Sequence, residues 1–300
     1  MREALDVLNR HYPLRFESAE AVRESVSTAY IARAGGQKYF LRAVKPAFIE
    51  GAARGAEIQL FLQGQGFPVP EIILAQSGEA CVRDSGRLYI LYAYIEGAEA
   101  DPERDAEALG ALVGKLHRAM RGYPGPLAQL DRQDFIGSYV GLLRAKQYPK
   151  ADAFAAYGEA LWDKVKGLPR GYCHGDMYRG NFLKTPGGAL YVLDFDTSGE
   201  GFPMYDPALA CNRTDYFRFR KNGRRRSAQA LARFLPGYLE YSALTQAETD
   251  AFYDLIAIYH FALQARILEL HGPDCVDTEF LDRQLDWLCR WREQCDKINR

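Results

Sequence analysis

The segment YCHGDMYRGNFLKTPGGALYVLDFDTSGEGFPMYD, from Tyr172 to Asp206, places three oxygen-bearing side chains at short intervals: Asp176, Asn181, and Asp194 after an apolar run. An aspartate in the first position can orient a hydroxyl and accept its proton as the oxygen attacks phosphorus. An asparagine and an aspartate supply the hard oxygen donors that Mg2+ takes, and that ion bridges phosphate oxygens. Such a set makes up the working parts of a phosphoryl-transfer site. On this reading Asp176 is the catalytic carboxylate, and Asn181 and Asp194 are the metal ligands. His174 is expected to orient the loop through hydrogen bonds rather than to bind metal. Asp196 reads as a second metal ligand or as a cap for the following turn. Asp206, in MYDPALA, reads as an N-cap of the next helix that braces the loop.

A nucleotide needs a cation for its phosphates and a flat apolar surface for its base. In QKYFLRAV, strand alternation puts Phe40 and Arg42 on one face and Tyr39 and Leu41 on the other. Arg42 is thereby expected to hold phosphates while Phe40 covers the base. Glu57 has Ala53, Leu60 and Phe61 as its neighbours one helical turn away. A carboxylate within an apolar stripe is costly unless a cation meets it, so Glu57 is expected to pair with Arg42 and fix the guanidinium. The alternative is a solvated Glu57 at the stripe's edge. The small residues of Glu24-Ser25-Val26-Ser27-Thr28-Ala29 would let backbone N–H groups near Ser27 approach phosphates, though the glycines of a G-x-G-x-x-G loop are absent. No G-x-x-x-x-G-K-[ST] occurs, and GALVGKL at Gly110 has the wrong spacing for one, which argues against a P-loop enzyme. Arg224-Arg225-Arg226 reads as a charged helix start or loop.

These residues have to be held by two kinds of structure. The first hundred or so residues read as mostly strand with one helix. AYIARA and QKYFLRAV flank Gly35-Gly36, a two-residue hairpin signal. A helix is predicted from about Ala47 to Gln63, stopped by Gly64 and Gly66 with Pro68 and Pro70 beyond. VPEIILAQ, EACVRD and RLYILYAYIEG read as further strands. From Gly97 to Pro102 the chain turns polar, a seam between an N-terminal lobe (1–97) and a C-terminal lobe (98–300). Leu109, Leu112, Val113, Leu116 and Met120 mark one helical stripe, and Phe252, Leu255, Ile256, Tyr259, Leu263, Ile267 and Leu270 another. Thr245-x-x-Glu248 before the second is a capping box, and Phe280, Leu285, Leu288 and Trp291 mark a last helix. A cleft between two such lobes is where a ligand is expected.

Composition narrows the class. Hydrophobic residues make up 48% and charged residues 26% of the 300, with a net charge of −1, which does not suggest a nucleic-acid binder. No apolar run is long enough for a membrane span, and MREALDVLNRHYPL lacks the apolar centre of a signal peptide. Six cysteines without a C-x-x-C pair fit reduced thiols, so a cytoplasmic location is expected. Oligomeric state is not legible.

Together, YFLR ending at Arg42, AEIQLFLQGQGFPVP with Glu57, LYAYIEG, LGALVGKLHRA, CHGDMYRGN, YVLDFD and MYDPALA resemble the aminoglycoside phosphotransferase and choline kinase superfamily. These are small-molecule kinases related to protein kinases, and the likeness runs from about residue 25 to about residue 215. The resemblance implies an α+β, bilobal protein-kinase-like fold, with a small β-rich N-lobe carrying one key helix and a larger, mainly helical C-lobe. It implies ATP with Mg2+ as donor, adenine bonded to the backbone near Ala93 and Ile95, and a small-molecule hydroxyl as acceptor. A nucleotide-binding relative without turnover is the alternative. Arg42 stands where kinases commonly have Lys, and Asp194-Phe195-Asp196 replaces D-F-G. Tyr178, rather than Lys, follows Asp176 by two residues, which weighs against a Ser/Thr protein kinase. The acceptor stays open. Asp196, Glu200, Asp215, Glu269 and Asp274 suit an aminoglycoside. Tyr205, Tyr216, Phe217, Trp287 and Trp291 suit a choline-like cage, and Arg213, Arg218 or Arg266 a homoserine-like carboxylate.

Overall fold

The computed structural model describes residues 2–296. Along the chain run α1 (Arg2–His11), β1 (Phe16–Glu24), β2 (Ser27–Ala34), β3 (Gln37–Val44), α2 (Ile49–Gly64), β4 (Val82–Asp84), β5 (Arg87–Ala93) and β6 (Ala98–Glu99). There follow α3 (Ala106–Met120), β7 (Ala128–Gln129), α4 (Ser138–Ala145), α5 (Ala151–Val165), β8 (Gly171–Cys173), β9 (Phe182–Lys184), β10 (Leu190–Val192) and β11 (Gly199–Gly201). The chain ends in α6 (Tyr205–Cys211), α7 (Gly223–Leu239), α8 (Gln246–Asp250), α9 (Phe252–His271) and α10 (Thr278–Asp296). The α+β class expected from the sequence is the one observed.

The chain divides into two compact units, and the division differs from a single cut at residue 97. The first unit takes the chain up to Ala100 together with Gly122–Pro126 and Tyr178–Ser198; the second takes Asp101–Arg121, Leu127–Met177 and the chain from Gly199 onward. Asn181, Asp194 and Asp196 therefore belong to the first unit, and Asp176 to the second.

In the first unit a five-stranded antiparallel sheet runs in the order β1-β2-β3-β5-β4. Gly35 and Gly36 at the β2–β3 turn have φ of +55° and +78°, both left-handed as a type I′ hairpin requires. Alternation along β3 sorts the core. Tyr39, Leu41 and Ala43 pack with Val7 and Leu8 of α1, while Phe40 and Val44 pack with Ile49, Ala52 and Ala56 of α2. Helix α1 and strand β1 are not legible in the sequence. Conversely, VPEIILAQ contributes only an isolated bridge, Ile72 to Tyr92, instead of a strand. The β9–β10 hairpin joins β6 in a small three-stranded sheet.

In the second unit α3 and α7 touch backbone to backbone. A Cβ at Gly110 or Gly114 would run into the carbonyl oxygens of Phe234 and Tyr238, and one at Gly237 into that of Glu107. The glycines of GALVGKL are thus packing residues. Helix α9 carries the expected apolar positions but is buried on most sides: Leu255, Ile256, Ala257 and Ile258 are all wholly inaccessible. The Thr245–Glu248 capping box forms, on the short α8 that precedes it. The Arg224-Arg225-Arg226 run lies in the first turn of α7, where Arg224 stacks on Tyr253 at 4.2 Å. No helix among the described residues is long and apolar enough to cross a membrane.

Candidate active site

Arg42, on β3 with 9% of its surface exposed, is paired with Asp196 rather than with Glu57. Its Nη2 donates to Asp196 Oδ2 at 2.6 Å and its Nη1 to Oδ1 at 3.1 Å, a two-pronged contact. Nη1 also lies 3.5 Å from Asp194 Oδ1. Glu57 points to solvent on α2, so the expected Arg42–Glu57 pair is corrected. The reason lies in the other face of that helix. A Cβ on Gly51 would stand 2.7 Å from the Asp196 carbonyl oxygen, and one on Gly55 2.9 Å from the Phe195 carbonyl carbon. Those glycines let the turn after β10 come close to α2, and that turn delivers its own carboxylate to Arg42.

The 194–196 turn is held from several directions. Val192 N donates to Pro68 O at 3.1 Å, Leu193 N to Asn181 O at 2.9 Å, and Ser198 N to Phe195 O at 3.1 Å. Phe195 is 2% exposed. Asp194 itself adopts φ +61°, a left-handed conformation that costs a non-glycine residue roughly 1 kcal/mol. Asp196 joins this turn as the partner of Arg42. Asn181 ends a single helical turn, Arg179–Asn181, and is 5% exposed.

Charge in this cluster is unbalanced. Burial acts to discharge Arg42, but Asp194 and Asp196 outweigh it and hold the guanidinium well above its ordinary pKa. Asp196 is pushed up by burial, pulled down by Arg42 and pushed up again by Asp194, with a net upward result. One guanidinium thus serves two carboxylates, and Asp194 Oδ1 is buried without a hydrogen-bond partner among the described residues. An acceptor oxygen without a hydrogen bond and surplus negative charge, on a turn tied by Leu193 N to the main-chain carbonyl of Asn181, fit a divalent, oxygen-seeking cation such as Mg2+. Among the described residues no three His, Cys, Asp or Glu side chains gather as a set that could hold a metal ion by themselves.

Of the remaining residues expected at the nucleotide, Phe40, Ser27 and Ala93 lie in the same sheet. Phe40 is half-buried beside Tyr92, their rings 6.3 Å apart. Ser27 opens β2 opposite Val44; its carbonyl accepts from Ser25 N at 2.9 Å, so the supposed loop is a tight hairpin tip. Ala93 ends β5, where its N–H is donated to Glu71 O at 2.8 Å. Ile95 follows two residues later, half-buried and outside any strand.

In the second unit, β8 feeds His174, Gly175 and Asp176. Asp206, wholly buried in the first turn of α6, organises this loop. Its Oδ2 accepts from His174 N at 2.7 Å and from His117 Nε2 at 2.9 Å; its Oδ1 accepts from Gly175 N at 3.0 Å and Cys173 Sγ at 3.3 Å. Burial raises the Asp206 pKa, but the hydrogen bond and charge of His117, with His174, overcome that and leave it below the ordinary value. Burial and Asp206 together drive the Cys173 thiol far upward, so it stays protonated and donates. His117 Nδ1 meets Tyr238 OH at 2.8 Å, extending the brace to α7. Asp176 N donates to His174 Nδ1 at 3.3 Å, the orienting role expected of that histidine. The helix N-cap is Met204, so Asp206 braces without capping. His117 went unread in LGALVGKLHRA; its only signal was an imidazole within an apolar stripe.

Several acceptor residues are already engaged. Arg213 donates to Glu103 and to the carbonyls of Ala210, Asn212 and Pro102. Tyr205, Tyr216, Trp287 and Trp291 are 2–7% exposed and pack into the core, with Trp287 stacked on Trp291 at 5.4 Å.

Residues 18–246 match the phosphotransferase enzyme family, and the chain belongs to it. It is similar to the homoserine kinase of Methylobacillus glycogenes, 25% identical over 287 residues that cover 89% of this chain and 86% of that protein. Among solved structures, the amicoumacin kinase hAmiN in complex with AMP-PNP, Ca2+ and Ami matches with a TM-score of 0.75 at 18% identity, covering 99% of this chain and 93% of that one. A microcompartment-associated aminopropanol kinase matches with a TM-score of 0.70 at 18% identity, covering 98% and 95%. The fold is protein-kinase-like, and the protein is a phosphotransferase with an alcohol group as acceptor, a small-molecule kinase.

Proposed function

We propose that this kinase transfers the γ-phosphate of ATP to the hydroxyl of a small amine-bearing alcohol. The carrying observation is the Arg42–Asp194–Asp196 cluster: a buried guanidinium beside a carboxylate with a spare oxygen, joined through Leu193 N to Asn181. In this reading Asn181 and Asp194 hold Mg2+, which draws off negative charge from the phosphate oxygens. Arg42 contacts phosphate, Phe40 lies under the base, and main chain near Ile95 takes the adenine. Asp176, fixed by the Asp206 brace, accepts the proton of the acceptor hydroxyl. An amine-bearing alcohol is supported by the printed names of the relatives, since homoserine and aminopropanol both carry an amine and a hydroxyl. It is supported also by the core burial of Tyr205, Tyr216, Trp287 and Trp291, which leaves only Phe217 of the aromatic candidates exposed and argues against a quaternary-ammonium cage.

The test is ADP release with ATP and Mg2+ across a panel of amino alcohols, choline and aminoglycosides, run beside Asp176→Asn. Acceptor-dependent release from the wild-type chain alone is expected. Nucleotide binding with no acceptor-dependent turnover across the panel would overturn the reading and leave a nucleotide-binding relative without activity.

A further inference from the structure

We propose that Asp196 is the positioning residue for Arg42, taking the place in which a helical carboxylate, Glu57, was expected. This deepens the reading above and rests on Arg42 as the phosphate contact. Three features of the first unit support it. Both Nη atoms of Arg42 engage both oxygens of Asp196, at 3.1 and 2.6 Å, which fixes the plane of the guanidinium as well as its place. The pair is shielded, with the two side chains 10% and 18% exposed, so the contact is rigid and little screened by solvent. The turn bearing Asp196 is seated on α2 at Gly51 and Gly55, so that helix supplies room to the turn while its own Glu57 faces solvent.

The arrangement has a functional consequence. Asp194 and Asp196 sit on one turn, and Arg42 Nη1 lies 3.1 Å from one carboxylate and 3.5 Å from the other. The phosphate clamp and the metal-binding carboxylate are therefore set by the same piece of chain. Any shift of the turn moves both, so the cation and the phosphates are recognised jointly. A helical glutamate would instead set the clamp independently of the metal ligand.

The experiment compares Asp196→Asn, Asp196→Glu, Glu57→Gln and Arg42→Gln, with the double variant Arg42→Gln/Asp196→Asn, by the KM for ATP, by kcat and by calorimetric affinity for Mg·ATP. Asp196→Asn is expected to raise the KM for ATP about tenfold or more and to lower kcat less, with Asp196→Glu recovering part of the loss. Glu57→Gln is expected to raise that KM at least about fivefold less than Asp196→Asn does. In the Arg42→Gln background the Asp196 substitution is expected to add nothing further, because its effect runs through Arg42. Additive losses, or Glu57→Gln matching Asp196→Asn, overturn the proposal. Asp196→Glu keeps the buried charge paired, so if Asp196→Asn does not fold, an unchanged ATP affinity in Asp196→Glu overturns it instead. Wild-type turnover and Arg42→Gln are read first. A chain without turnover, or Arg42→Gln with unaltered ATP affinity, defeats the underlying functional reading and is recognisable before Asp196 is substituted. The calorimetry applies whether or not an acceptor has been found.

Discussion

His117 Nε2 and Asp206 Oδ2 meet at 2.9 Å across 89 residues of chain, and the same oxygen takes the His174 N–H at 2.7 Å. A buried carboxylate with four donors on it is a hub: β8, α3 and α6 all depend on its charge. Asp206→Asn replaces one acceptor oxygen by a donor that faces main-chain N–H groups. It is expected to destabilise the protein by on the order of 3 kcal/mol and to lower kcat by misplacing Asp176. Thermal denaturation and ADP release check both.

The same residue sets an acid limit. Its folded pKa lies below the ordinary 3.8, so its stabilisation is complete above that value and drains away as pH falls through the folded pKa. Urea unfolding from about pH 5 down to about pH 2 is expected to show a steeper loss in the wild type than in Asp206→Asn. Parallel curves would discount the hub.

His260 predicts a second slope, at milder pH. Burial against Trp287, 4.8 Å between ring centroids, holds its pKa near 3 instead of 6.5. The unfolded chain takes up a proton below 6.5 and the folded one does not until about 3, so stability falls as pH drops through that window. The expected slope is on the order of 1.4 kcal/mol per pH unit, and His260→Phe should flatten it. A wild-type curve that is already flat there refutes the prediction.

Asp176→Asn and Asp194→Asn should fail differently. The first is expected to cut kcat by about 10^3-fold with ATP affinity nearly intact, since a proton acceptor is lost. The second is expected to weaken Mg·ATP binding in calorimetry. Identical profiles would count against the division of labour.

Close glycines give a paired prediction. Gly51→Ala presses on the Asp196 carbonyl, and Gly110→Ala presses on that of Phe234. Each is expected to destabilise by about 1–3 kcal/mol. Only Gly51→Ala should also raise the KM for ATP, because only it displaces the turn that holds Arg42.

Much of this was legible where chemistry is local. The Gly35-Gly36 turn, the Thr245–Glu248 box and the stripe of α3 follow from contacts within a few residues, and the chain shows them plainly. Arg42's partner was not legible, because 154 residues separate it from Asp196 while Glu57 stands on the next helix. Strand β1 was hidden because FESAEAVRE leaves its last five residues exposed and so lacks a full apolar alternation. The Asp206 hub was half-read: bracing was inferred, but its partner His117 sits in an apolar stripe whose pattern says only "core".

The first unit is assembled from three stretches of chain, the last of them ending at Ser198. Arg42 is synthesised early, yet the carboxylates that neutralise it emerge some 150 residues later. A nascent or truncated chain ending near Ala100 would enclose that guanidinium with no counter-charge, a state that favours loosening of β3 over compaction. Sheet and hairpin are therefore bound to mature together, and a fragment cut at the apparent seam should emerge from the ribosome as a substrate for chaperones.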